Sequence, residues 1–104
     1  MYVLSTWKER GLTPEQTNRL MTTWGKLEAR MAESTAVERV CWFMYSDGSG
    51  GITVAKAIDV EAATQFQLET ALALSEFLEI ETRQVLDLDT AMPAILNAVE
   101  LINA

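Results

Sequence analysis

Residues 38–58 read ERVCWFMYSDGSGGITVAKAI. Two runs rich in aromatic and β-branched residues flank a cluster of Asp, Gly and Ser. Strand formers on either side of strong turn formers predict a β-hairpin. Its strands cover 38–46 and 52–58, joined by a loop of about five residues. Both faces of this hairpin are apolar. Val40, Trp42 and Met44 alternate with Cys41, Phe43 and Tyr45, and Ile52, Val54 and Ile58 alternate with Ala55 and Ala57.

Outward toward the N-terminus, residues 2–8, YVLSTWK, predict a strand that ends before Gly11. It carries Val3 and Trp7 on one face and Tyr2 and Leu4 on the other. Thr13-Pro14-Glu15-Gln16 then predicts a helix start. Thr13 caps, Pro14 suits the first helical position, and Gln16 sits where a capping box needs it. This helix runs to about Glu33 with Leu20, Trp24, Leu27 and Met31 as its buried stripe.

Outward toward the C-terminus, Asp59 caps a helix over roughly 60–76, with Phe66, Leu74, Ala63, Thr70 and Ala73 facing inward. Residues 77–88, FLEIETRQVLDL, alternate with period two. Leu78, Ile80, Leu86 and Leu88 share one face, and Glu79, Glu81, Arg83 and Asp87 share the other. Asp89 or Thr90 opens a last helix with Pro93 in its first turn. Ile95, Val99 and Ile102 form its apolar face, with Leu96 beside it.

The order is strand–helix–strand–strand–helix–strand–helix. It predicts an α+β chain of ferredoxin-like βαββαβ topology with a C-terminal helix, as one domain over 1–104. A four-stranded antiparallel sheet with two helices on one face leaves its second face open, with the second and fourth strands at the edges. That open face is apolar here, so it needs another sheet, a lid or a ligand. A homodimer through the open sheet face is the expected solution.

The opening strand YVLSTWK, the hairpin VCWFMYSDGSGGITVAKAID and the segment FLEIETRQVLDLDTAM resemble the dimeric α+β barrel superfamily. Within it the chain is similar to a small bacterial and phage family of unknown function. The resemblance spans about residues 1–92 and implies a fold and a dimer. It implies no catalytic residue. The wider superfamily includes cofactor-independent monooxygenases, haem proteins and small isomerases.

Composition bounds the chemistry. The 104 residues are 49% hydrophobic and 22% charged, with a net charge of −7. Such a surface repels phosphate backbones and anionic lipids, so neither nucleic acid nor membrane is an expected partner. No apolar run is long enough to span a membrane, and the N-terminus lacks signal-peptide character, so a cytoplasmic setting is expected. Histidine is absent and Cys41 is the only cysteine. These counts exclude His-ligated haem, a zinc site within one chain and His-dependent nucleophile systems, and no metal or other cofactor is expected.

The candidate ligand-binding residues are Tyr2, Trp7, Trp42, Phe43 and Tyr45, whose rings could wall an apolar pocket with polar tips for orientation. Ordinary core and dimer packing explains the same rings. The acidic series Glu79, Glu81, Asp87 and Asp89 reads as a solvated strand edge, because Arg83 in its midst repels a cation. Cys41, with Arg39 on its face, reads as an inert packed thiol. Gly48–Gly51 joins two strands and lacks the features of a phosphate loop. The expected function is a non-catalytic structural or small-molecule-binding module. The alternative is a cofactor-independent monooxygenase-like or isomerase-like enzyme acting on a small apolar or aromatic substrate, with Trp7, Trp42, Tyr45 and Asn18 as the groups available to an oxygenase.

Overall fold

The computed structural model describes residues 1–104. The elements are β1 (Tyr2–Glu9), α1 (Pro14–Glu33), β2 (Val37–Met44), β3 (Gly50–Ala57), α2 (Val60–Leu74), β4 (Leu78–Val85) and α3 (Leu88–Asn103). The strands form one antiparallel sheet in the order β2-β3-β1-β4. This is the ferredoxin-like βαββαβ arrangement with a C-terminal helix, and β2 and β4 are its edges.

The first helix starts as its sequence dictates. Gln16 N donates to Thr13 Oγ1 at 3.2 Å, and Thr13 N donates to Gln16 Oε1 at 2.9 Å, completing the capping box. Asp59 caps α2 by accepting from Ala62 N at 3.1 Å. Helices α1 and α2 lie together on one face of the sheet. Trp7, Leu20, Leu74, Phe77 and Leu78 form the buried core between the layers, with Leu12, Trp24, Leu27 and Ile80 packed against it. Surface pairs Arg19–Glu76 and Arg30–Glu69 tie α1 to residues of or after α2. Such exposed pairs are worth well under about 1 kcal/mol each.

Several details differ from the sequence reading. Strand β3 begins at Gly50, two residues early, so both glycines lie in the strand. A side chain at Gly51 would overlap the carbonyl oxygen of Phe43 and lie 2.5 Å from Cζ2 of Trp7. The glycine lets the indole lie flat on the sheet. Strand β2 bulges between Arg39 and Cys41, which leaves Val40 without a pairing partner. Arg39 therefore faces the helices, while Cys41, paired with Val54, faces away, and the two do not share a face. Ala73 is exposed rather than inward, and Ile58 lies beyond the strand and is exposed.

The largest differences are at the C-terminus. Strand β4 ends at Val85, which pairs with Tyr2, the first residue of β1. Beyond that point no neighbour remains to pair with, so Leu86 and Leu88 leave the sheet. Asp87 becomes the N-cap of α3, accepting from Thr90 N at 3.1 Å, and Pro93 falls inside the helix instead of in its first turn. No residue of α3 is buried. The helix projects from the two-layer body, and the chain measures 60 × 30 × 21 Å with a radius of gyration of 16.9 Å. A compact chain of about 100 residues has a radius near 13 Å.

Candidate functional site

Alternation along the strands sends Val3, Ser5 and Trp7 of β1, Thr53, Ala55 and Ala57 of β3, and Ile80 and Thr82 of β4 toward the helices. From above come Trp24, Leu27, Glu28 and Met31 of α1, and Ala63, Phe66, Gln67, Thr70 and Leu74 of α2. They line a half-open cavity of about 140 Å³ between the layers. Small residues make the room: alanines on β3 and α2 face each other where larger side chains would fill the space.

The floor carries hydroxyls. Ser5 Oγ lies 3.3 Å from Thr82 Oγ1, and Thr53 lines the cavity on the opposite side of β1. The walls carry one ion pair. Arg39 Nη1 and Nη2 donate to the two carboxylate oxygens of Glu28 at 3.0 and 2.6 Å, a two-pronged bond between β2 and α1.

The three tryptophans of the chain join this pair in one series. The Arg39 guanidinium carbon lies 4.7 Å from the centre of the Trp42 ring. Trp42 stacks on Trp24 at 5.2 Å and 23°, and Trp24 meets Trp7 edge to face at 6.0 Å and 65°. Trp7 is only 8% exposed, and its indole Nε1 is buried without a hydrogen-bond partner. Buried donors are nearly always paired, so this N–H calls for a reason.

Of the five residues singled out from the sequence, Trp7 alone lines the cavity. Trp42 lies on the same side of the sheet and reaches the cavity through Trp24. Tyr2 and Phe43 fall on the opposite face, and Tyr45 lies in the exposed hairpin loop. Asn18 sits on the exposed side of α1 beside Arg19 and Glu76, away from the tryptophans. Sequence reasoning missed Ser5, Glu28, Arg39, Thr53 and Thr82 as cavity residues. The period-two phase of Trp7 and Val3 points to Ser5, but nothing in the sequence signals the bulge that turns Arg39 inward.

No group of three or more acidic or cysteine side chains is arranged to hold a metal ion. On β4, Glu79 is drawn to Arg10 at 3.6 Å, an exposed pair at the sheet rim. In the hairpin loop, hydrogen bonds from the side chain and backbone of Ser49 hold the Asp47 carboxyl below its usual range. They fix the loop and offer no catalytic group.

No family model and no curated protein matches the chain. Solved structures do. SnoaB, a cofactor-independent oxygenase from Streptomyces nogalater, is similar with a TM-score of 0.57 and 16% identity, over 83% of this chain and 95% of its own. Rv0793 from Mycobacterium tuberculosis is similar with a TM-score of 0.56 and 12% identity, over 83% of this chain and 94% of its own. An antibiotic biosynthesis monooxygenase gives a TM-score of 0.53 and 9% identity, over 83% and 99%. The chain has the fold of these proteins, a ferredoxin-like α+β fold.

Proposed function

We propose that the protein is a cytoplasmic homodimeric module that takes up a small, flat, mainly apolar ligand bearing one oxygen acceptor, between its helices and its sheet. The observation that carries this reading is a mainly apolar cavity walled in part by Trp7, whose buried Nε1–H has no hydrogen-bond partner. An acceptor on the ligand would satisfy that donor, and aromatic walls favour a planar ring. Size narrows the class further. A cavity of about 150 Å³ is known to hold benzene, so 140 Å³ accommodates a single ring, with its substituents toward the open side.

The cavity supports binding better than turnover. Its one carboxylate, Glu28, is committed to Arg39, and the remaining polar groups are hydroxyls and an amide. A second reading draws on the likeness to SnoaB, itself a cofactor-independent oxygenase. In that reading the Trp7 N–H would stabilise the oxyanion of an electron-rich phenol, the form that reacts with oxygen. The dimer is supported by the outer sheet face, where Leu4, Cys41, Phe43, Ile52 and Val54 gather with no helix over them.

Calorimetric titration with phenol and with benzene tests the binding reading. Phenol is expected to bind at one site per chain and more tightly than benzene. Absence of heat with both ligands up to their solubility would refute it. Consumption of dissolved oxygen with phenol or a dihydroxybenzene would favour the second reading over the first.

A further inference from the structure

Strand register lines up one polar row across the floor of the cavity. Ser5 of β1 pairs with Thr53 of β3 and with Thr82 of β4, and Thr53 pairs in turn with Trp42 of β2. Three hydroxyl side chains therefore stand abreast, about 4.8 Å apart from strand to strand, with an indole at one end. The rungs on either side contribute Trp7 and Ile80, and Val3 and Ala55. The hydroxyls form a polar lane through an apolar floor.

The lane has hydrogen bonds to spare. Ser5 Oγ and Thr82 Oγ1 lie 3.3 Å apart, long for two hydroxyls, whose usual span is about 2.5–3.0 Å. Each hydroxyl offers one donor and two acceptor positions, so most of that capacity is open to a ligand. Ser5 and Thr53 are half-buried and Thr82 is exposed, so the lane runs from the interior of the cavity out to solvent.

Charge decides which oxygen the lane takes. The charged side chains lining the cavity are Glu28 on α1 and Arg39 on β2, while α2, β1, β3 and β4 contribute none. Arg39 gives both terminal nitrogens to Glu28, at 3.0 and 2.6 Å, so the pair cancels and leaves no cation for a bound anion. An oxyanion entering from water loses hydration there without gaining a counter-charge. The net charge of −7 adds to that cost. A neutral hydroxyl suffers neither, and can donate to one oxygen of the lane while accepting from the next.

We infer, resting on the binding proposed above, that the row Thr53–Ser5–Thr82 is the polar subsite of this cavity and that it takes the uncharged hydroxyl of a phenol or alcohol in preference to its anion. A hydroxyl oxygen that accepts from the Trp7 N–H still has its own proton to place. Ser5, two residues away on the same face of β1, is the nearest hydroxyl along the strand to receive it.

4-Nitrophenol tests the preference, because its anion is yellow and its neutral form is not. The full chain is added to saturation at the pH where half of the free compound is ionised. An about tenfold preference for the neutral form leaves about a tenth of the bound compound ionised, so the yellow band is expected to fall roughly fivefold. A band that stays or grows while calorimetry shows the compound bound would overturn this inference and leave the binding reading standing, and growth would favour the oxyanion of the second reading. Absence of binding by 4-nitrophenol, phenol and benzene alike would overturn both. The subsite itself is tested with Ser5→Ala and Thr53→Val, which remove a hydroxyl at little change in shape. In each, the preference for phenol over benzene is expected to fall about fivefold while benzene binds as in the wild type. A preference that survives in both variants would overturn the assignment of the row.

Discussion

Arg39 lies over the indole of Trp42, 4.7 Å from the ring centre, while both of its terminal nitrogens grip Glu28. One guanidinium thus fastens edge strand β2 to α1 and props the first of three tryptophans. Trp42 bears on Trp24 and Trp24 on Trp7, so the ion pair, itself part of the cavity wall, braces the rings beside it. The packing of Trp7 is set by residues remote from it in sequence.

Arg39→Lys keeps the charge but loses the planar fork and the flat stacking surface. The pair is partly exposed, so the loss is expected to be modest, about 1 kcal/mol. For a chain of this size that lowers Tm by roughly 4–8 °C. A thermal melt of Arg39→Lys that superimposes on the wild type would mean that the fork contributes nothing.

Trp24→Ala removes the middle of the tryptophan series. The side chain is half-buried, so the expected cost is about 2–3 kcal/mol, below the range for a fully buried indole. Its loss should also redden the emission of the remaining tryptophans as water reaches Trp42. Chemical denaturation with an unchanged midpoint would show that the series is ornamental to stability.

Gly51→Ala should be among the most damaging single substitutions. The added methyl group would overlap the backbone of Phe43 and lie 2.5 Å from the Trp7 ring, and neither can retreat without opening the sheet. A loss of about 2 kcal/mol or more is expected. Soluble expression of Gly51→Ala with wild-type Tm would show that Trp7 does not lie flat against β3.

The Asp87 carboxyl is held below its usual range, first by its hydrogen bonds from Thr90. Its pKa is lower in the folded than in the unfolded chain. The stabilisation is therefore complete above the unfolded value, near 3.9, and is lost as pH falls through the folded value. Acidification from pH 5 should fray α3 first, read as declining helical circular dichroism. Asn caps nearly as well without titrating, so Asp87→Asn should flatten this decline. An identical acid profile for the two proteins would remove the cap from the explanation.

Much of the fold was legible because local signals agreed with one another. Thr13, Pro14 and Gln16 fix the start of α1, and the alternation along β1 puts Val3 and Trp7 on one face, which the structure shows to be the helix-facing one. The misses have physical causes. Leu86 and Leu88 continue the alternation of β4, but a strand ends where its neighbour ends, and β1 offers nothing beyond Tyr2. The bulge at Val40 is a backbone irregularity without a side-chain signature, so simple alternation puts Arg39 on the face of Cys41, which it does not share. The cavity itself is written in small residues such as Ala55 and Ala63, which local patterns read only as undemanding.

The most direct test is the indole region of a proton–nitrogen NMR spectrum of labelled protein, titrated with phenol. Three indole resonances are expected, one for each tryptophan. Trp7→Phe identifies its own by removing it. If a ligand oxygen accepts the buried Nε1–H, the Trp7 resonance moves downfield and saturates with phenol, and benzene does not reproduce the shift. A Trp7 resonance that stays in place through phenol saturation would contradict the assignment of this cavity as the binding site.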